Sequence, residues 1–254
     1  HSNLSDDYGK SGPVAISELR GVPKMTKVFL DAMSEIGVST NRRYNTEPCE
    51  GASIAHVTHW NGLRSSTATG YLDPIKKRRN LTVFQHAHAK RLVLEGNRAI
   101  GIEFQHKGAV RQARAHHEVI LSASTFNSPK LLMLAGIGPA DQLKEIGISS
   151  LVDLPGVGKN LQDHPVAAVK ALVNQRTTNM DDNVLGRIRH GLRYMLTLGG
   201  PATFVQSGVA FVKSSPNLSY PDIQFHFGAF AYEITEAGLQ MLDRPAVTLQ
   251  PNIN

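Results

Sequence analysis

Scarcity narrows this sequence before any motif does. Only one of the 254 residues, Cys49, is a cysteine, which excludes an internal disulfide and suits a reducing compartment. Its neighbours Pro48 and Glu50 offer no cation to stabilise a thiolate, so the thiol reads as structural. No apolar run approaches the ~18 residues needed to span a bilayer, and the stretch Val166–Val173 is broken by Lys170. The amino terminus, His1-Ser2-Asn3-Leu4-Ser5-Asp6-Asp7, is polar and acidic, unlike a secretory signal. It has no initiator Met, which suggests a processed or partial chain. A cytoplasmic protein is expected, with peripheral attachment at the inner membrane face as a variant.

Catalytic signatures are scarce as well. Eleven histidines invite a metal: His86 and His88 share a strand face, His116 and His117 are adjacent, and His56 and His59 are three apart. None is joined by the Glu and third ligand of a HExxH-type site or by a cysteine pair, so no metal is expected. There is no GxSxG elbow, and Ser128 before Pro129 reads as a helix-start residue rather than a nucleophile. Gly136-Ile137-Gly138 and Gly156-Val157-Gly158 each begin a GxG. Asp141 and Leu161 then stand where the third glycine belongs, so neither is a dinucleotide fingerprint.

What is present is ordinary globular chemistry with a basic bias. Hydrophobic residues make up 41% and charged residues 19%, enough for one large domain or two modest ones with a sizeable core. The net charge of +6 and pI near 9.5 raise nucleic acid or an anionic membrane as partners. The concentrated basic run, Lys76-Lys77-Arg78-Arg79, has no aromatic or Gly-rich RNA-binding pattern around it and reads as a solvated loop. No nucleic acid is therefore expected, although a basic nucleic-acid-binding protein stays as an alternative. No internal repeat or low-complexity tract is visible.

Periodicity outlines the elements. The first dozen residues are turn-rich, and Val14-Ala15-Ile16 is a candidate strand. Val28, Phe29, Ala32, Met33 and Ile36 recur at helical spacing from about Pro23 or Lys24, and Gly37 supplies the stop. Asn61-Gly62 is a strong turn pair, and Ser65 to Ala68 could open a helix. Asn80–Phe84, Ala89–Leu94 and Ala99–Phe104 are strand-like, the last two pairing as a hairpin across Glu95-Gly96-Asn97. Glu118–Leu121 reads as a buried strand, Ser122–Thr125 as a small-residue turn, and a helix starts near Asn127 or Ser128. Pro139 to Gly147 is a short helix. Beyond Val166, strands at Val166–Val173, Gly208–Val212, Asp222–Phe227 and Ala246–Leu249 enclose an amphipathic helix, Leu185–Leu198. They suggest a mostly antiparallel α+β region with its boundary near Pro165.

Strand, small-residue turn and helix start let backbone N–H groups approach a phosphate or flat cofactor. The residues here resemble more than that pattern. Ser124-Thr125, Ser128-Pro129, Leu131-Leu132 and Gly136-Ile137-Gly138 resemble the second signature of the glucose–methanol–choline (GMC) family of FAD-dependent oxidoreductases. Ala135 departs, standing where the family usually has Ser, and Ser124 stands where Gly is commonest. Asp153-Leu154-Pro155-Gly156-Val157-Gly158 and Asn160-Leu161-Gln162-Asp163-His164 match the family's continuation. So do Glu50-Gly51, Thr58–Thr67 and Gly70-Tyr71-Leu72.

The resemblance implies an α/β part of an FAD-binding domain with a small sheet (1–165), followed by part of a mostly antiparallel substrate domain (166–254). It implies FAD, with Ala123, Ser124 and Thr125 nearest the cofactor. The competing account of these three is a tight turn that needs small residues for packing alone. Ala89, where the family usually has Val, would contact the adenine end through its backbone. His164 is expected to hold a loop by hydrogen bonding rather than act as a base. The implied activity is oxidation of a primary or secondary alcohol by hydride transfer to FAD, as a choline dehydrogenase-like dehydrogenase or oxidase, with oxygen or a quinone-like acceptor. The family's amino-terminal GxGxxG and its catalytic His would lie outside these residues, making the chain an inactive fragment of a longer flavoprotein. A GMC-family lyase or an inactive remnant are the alternatives within that frame.

Overall fold

The computed structural model describes residues 8–253; the first seven residues, part of the expected amino-terminal loop, lie outside them. In chain order the main elements are α1 (Lys24–Glu35), β1 (Gly51–Ile54), β2 (Ala87–Glu95), β3 (Arg98–His106), β4 (Ala109–Arg114), α2 (Ser124–Leu134) and α3 (Ala140–Glu145). They continue with β5 (Val169–Leu172), α4 (Val184–Thr197), β6 (Gly208–Val212), β7 (Ile223–Gly228), β8 (Tyr232–Thr235), β9 (Gly238–Met241) and β10 (Ala246–Ile253). Residues 8–77 and 164–253 form one compact unit, and residues 78–163 form another. A single boundary near Pro165 therefore divides the chain differently from its compact units. The reason is that β1 pairs with β6 and joins the sheet built by the later strands.

That sheet is antiparallel throughout, in the order β5-β10-β7-β6-β1. Its strands alternate at period two, and one set of side chains (Ala210 and Val212, Phe225 and Phe227, Val247 and Leu249) packs on Met25, Phe29 and Met33 of α1. The three helix residues are 5–7% exposed, and burying side chains of this size stabilises by about 1.5–3 kcal/mol each before entropy is counted. Phe29 stacks on Phe227 with ring centroids 4.7 Å apart. Gly208 permits that approach, since a Cβ there would lie 2.8 Å from the Phe29 ring.

Local signals set the ends. α1 stops where Gly37 N–H donates to Ser34 O (3.0 Å) and Val38 N–H to Met33 O (2.9 Å). Asn61 and Gly62, at φ 50° and 76°, turn the chain between His59–Trp60 and Leu63–Arg64, as a two-residue hairpin requires. A Cβ on Gly62 would come within 2.0 Å of the Leu198 carbonyl oxygen. The expected helix after Ser65 is one π-type turn, Ala68–Leu72, preceded by reciprocal Ser66 and Thr69 bonds of 2.8 and 3.3 Å. Asn183 caps α4, its Oδ1 accepting from Gly186 N–H at 2.9 Å.

In the 78–163 unit, β2, β3 and β4 form an antiparallel meander. The β2–β3 hairpin was legible in sequence; β4 was not, because its six residues Ala-Val-Arg-Gln-Ala-Arg are exposed throughout. Asn80–Phe84 is not in a ladder, and Phe84 instead packs its ring on Phe104 at 5.4 Å. Glu118–Leu121 is not a buried strand either. Its residues pair in no described ladder, and Ile120 is 76% exposed. Helix α2 starts at Ser124, ahead of the expected Asn127 or Ser128. Among the described residues no helix is long and apolar enough to cross a membrane.

Candidate functional site

A groove of about 360 Å³ runs between β2 and α2, with Ala89 and Lys90 on one side and Ala123, Asn127 and Lys130 on the other. Methyl side chains at 89 and 123 leave the backbone approachable from the groove. The β2–β3 register pairs Ala89 with Phe104 and Arg91 with Glu103, leaving Lys90 as an extra residue. Such a bulge re-aims the strand beside a site. Arg91 and Glu103 close the register with a 2.9 Å ion pair; the Arg91 hydrogen bond holds the Glu103 carboxyl below its ordinary range. Lys90 on β2 and Lys130 in the second half of α2 add positive charge to the groove.

The start of α2 combines backbone strain with one side-chain bond from inside the helix. Ser124 has φ 74°, a left-handed conformation that costs a non-glycine residue roughly 1–2 kcal/mol. That is the physical reason a glycine suits this position. Ser128 lies inside α2 and is not the expected helix-start residue; its Oγ accepts from Ala123 N–H at 2.9 Å, tying the helix back to the residue before it. Thr125 faces a different cavity, about 490 Å³, shared with Phe126, Met133 and Gly158–Gln162. The structure thus brings Ala89 and Ala123 together, leaves Ser124 exposed between them and Thr125, and assigns Thr125 to the neighbouring space.

His164, in the other unit, has Nδ1 3.0 Å from Ile253 O, a loop-holding contact to the last strand. His56 lies between the Tyr8 and Tyr44 rings, and burial, ahead of the Glu18 and Arg42 charges, pushes its pKa down on balance. Among the described residues no three His, Cys, Asp or Glu side chains gather as metal ligands. Lys76 of the basic run pairs with Asp73 at 3.1 Å on the exposed surface.

Sequence reasoning missed a polar block on the sheet face opposite α1. Gln224 and His226 of β7 pair in register with Asn252 and Gln250 of β10. Asn252 is 4% exposed; its Nδ2 donates to Gln224 Oε1 at 3.5 Å, while its Oδ1 is buried with no partner. Gln206 Nε2 donates to Gln250 Oε1 at 2.9 Å. His226 is half-buried, and burial, then the charge of His164, pushes its pKa down. Polar groups buried in mid-sheet are costly unless hydrogen-bonded, and Asn252 Oδ1 is not. The alternation Ile223-Gln224-Phe225-His226-Phe227 carried the signal, with its polar face opposite the apolar one.

The class comes first from architecture. Solved structures sharing this fold include pyridoxine 4-oxidase from Mesorbium loti, at TM-score 0.81 and 23% identity, covering 99% of this chain and 46% of that one. An FAD-dependent oxidoreductase from Chaetomium thermophilum aligns at TM-score 0.79 and 18% identity, over 97% of this chain and 50% of that one. The chain shares the fold of these two proteins. Residues 7–166 match the GMC oxidoreductase family model, and the chain belongs to the GMC oxidoreductase family, whose cofactor is FAD. Oxygen-dependent choline dehydrogenase of Brucella suis is 39% identical over 221 residues, covering 86% of this chain. The Rhizobium etli protein of that name is 37% identical over 226 residues. The chain spans about 40% of the length of these relatives.

Proposed function

We propose that this chain is the part of a GMC flavoenzyme that walls the adenine end of FAD and one side of the alcohol chamber. The whole protein would oxidise a primary or secondary alcohol and pass electrons to oxygen or a quinone-like acceptor. The observation that carries this reading is the meeting of Ala89 and Ala123 in one groove at the start of α2. Bound FAD supplies the acceptor for a hydride from the alcohol carbon. The residues present fit such a group: Ala89 and Ala123 leave room for a flat ring against backbone, and Lys90 and Lys130 offset phosphate charge. Ser124 and Thr125 continue the wall past the helix start.

The polar block suits the alcohol side. Asn252 Oδ1 offers an unpaired buried acceptor to a hydroxyl donor, and the half-buried His226, its pKa lowered by burial and then by the charge of His164, lies on the same face of β7 as Gln224, the partner of Asn252. His164, whose Nδ1 meets Ile253 O, is read as holding the loop, and no base is assigned here. On this reading residues 1–165 serve the cofactor and 166–254 the substrate, in a cytoplasmic or inner-membrane-associated protein. Lacking a GxGxxG, the 254-residue chain by itself is expected to retain FAD weakly and to show no alcohol oxidation. A bound-flavin absorption band with turnover from this chain alone would contradict that expectation.

The test of the groove is steric. Ala89→Trp and Ala123→Phe, introduced into protein of the relatives' full length, are expected to cut flavin per polypeptide at least several-fold. Far-UV circular dichroism should stay unchanged. Stoichiometric flavin in both folded variants overturns the assignment.

A further inference from the structure

A cleft of about 530 Å³ lies in the 8–77 and 164–253 unit and belongs to neither surface above. Its walls are the segment leading into α1, the Arg176–Asp181 segment and one face of α4. Four cations line it, Lys24, Arg176, Arg189 and Arg193, against one carboxylate, Asp181. Four minus one leaves a surplus of three positive charges, with His190 counted as neutral.

The arrangement is built rather than scattered. Asp181 holds three groups at once: Arg176 Nη2 at 2.5 Å, Arg189 Nη2 at 2.6 Å and His190 Nε2 at 3.0 Å. One carboxylate thereby pins two guanidinium groups that would otherwise repel each other apart. Its side chain is only 12% exposed, so the pinning is sheltered from solvent. His190 Nδ1 is buried with no partner. Arg189, His190 and Arg193 sit at i, i+1 and i+4 on α4 and share its cleft-facing side. Val184, Leu185, Ile188 and Met195 lie on the exposed side. The side chains of Lys24 and Arg193 make no hydrogen bond or ion pair with the described residues. The helix that starts at Lys24 has Pro23 as its N-cap, with no side-chain acceptor for its first amides and no acidic residue in its first turn.

We propose that this cleft binds a small phosphate-bearing anion. A guanidinium fork matches two phosphate oxygens at once, and a surplus of three charges suits a di- or trianion better than a singly charged ion. A cleft lined by one sign of charge also concentrates such an anion. Inorganic phosphate and the phosphate of a larger ester share this chemistry, and the probes separate them.

The experiment titrates the protein with inorganic phosphate, pyrophosphate or adenosine monophosphate by calorimetry, at ionic strength fixed with sodium chloride. Saturable phosphate binding at least tenfold tighter than chloride is expected, with pyrophosphate tighter still. Adenosine monophosphate binding tighter than phosphate would identify an ester as the natural ligand class; equal binding would identify the free anion. The variants Lys24→Gln and Arg193→Gln leave the Asp181 hub intact. Each should weaken binding about tenfold with unchanged circular dichroism and unchanged melting in the absence of phosphate. Pyrophosphate held in the Ala89–Ala123 groove instead would survive both variants and be lost in Lys130→Gln, which overturns the proposal, as does binding no tighter than chloride.

Discussion

Thr26 Oγ1 and Ser207 Oγ lie 2.7 Å apart with both residues fully buried. They tie the first turn of α1 to the residue before β6, across the interface filled by Phe29 and Phe227. A buried hydroxyl left without its partner costs about 1–3 kcal/mol, whereas removing both is nearly neutral. Thr26→Val is therefore expected to destabilise by about 1–3 kcal/mol in urea unfolding. The double variant Thr26→Val with Ser207→Ala should lose much less stability than the sum of the two single losses. Strict additivity in the double-mutant cycle would mean the hydroxyls do not interact.

Ser124 offers a test of stored strain. Its φ of 74° disfavours any residue with a Cβ, while glycine loses more chain entropy on folding, by roughly 0.5–1 kcal/mol. Setting that against a left-handed cost of roughly 1–2 kcal/mol, Ser124→Gly should be neutral or stabilise by up to about 1.5 kcal/mol. Ser124→Val should destabilise by at least about 1 kcal/mol, since branching worsens the clash. A Gly variant markedly less stable than the parent would show that the Ser124 side chain contributes something its exposed position does not reveal.

Three histidines predict an acid-sensitive fold. Burial pushes His56, His59 and His226 below the ordinary imidazole value of 6.5. In the unfolded chain each would titrate near that value, so below it the unfolded state binds more protons than the folded one. Their contribution is thus fully present above pH 6.5 and is lost as pH falls through 6.5 toward the lowered folded pKa. Melting temperature should drop by a few degrees between about pH 7 and pH 5, before the carboxylates titrate. Replacing His226 by Gln should flatten part of that slope. A melting temperature constant or rising toward pH 5 is the contrary outcome.

Sequence legibility followed burial. The Ile223–Gly228 and Gly208–Val212 strands were visible because one face meets α1 and must be apolar, which prints a period of two. Helix α1 was visible for the same reason at the helical period. The exposed Ala109–Arg114 strand printed nothing, since no core selects its side chains. Gly51–Ile54 was missed as a strand because it is short, and its place at the sheet edge depends on Gly208–Val212, far away in sequence. At the site, small residues at 89 and 123 were found through family likeness. Their meeting in one groove depends on how α2 packs on β2, which no local pattern encodes. The Asp181 hub was invisible for a similar reason, because its partners are spread over two elements and read locally as ordinary surface charge.

Gly208 carries the sharpest packing consequence. A Cβ there would sit 2.8 Å from Phe29 Cδ1 and 3.1 Å from Phe227 Cβ, inside a stack whose rings are 4.7 Å apart. Native packing leaves little room for a methyl to displace a ring, and overpacking of this kind typically costs about 1–3 kcal/mol. Gly208→Ala is expected to fall in that range. Phe29→Leu alone should also destabilise, through the lost ring contacts. Combined, the two changes should offset each other, because the smaller Leu vacates the space the new methyl enters. The expected signature is a coupling energy of at least about 0.5 kcal/mol in the stabilising direction, read from urea midpoints of the four proteins. Destabilisations that simply add would mean that Gly208 is required for its backbone conformation and not for the approach of Phe29.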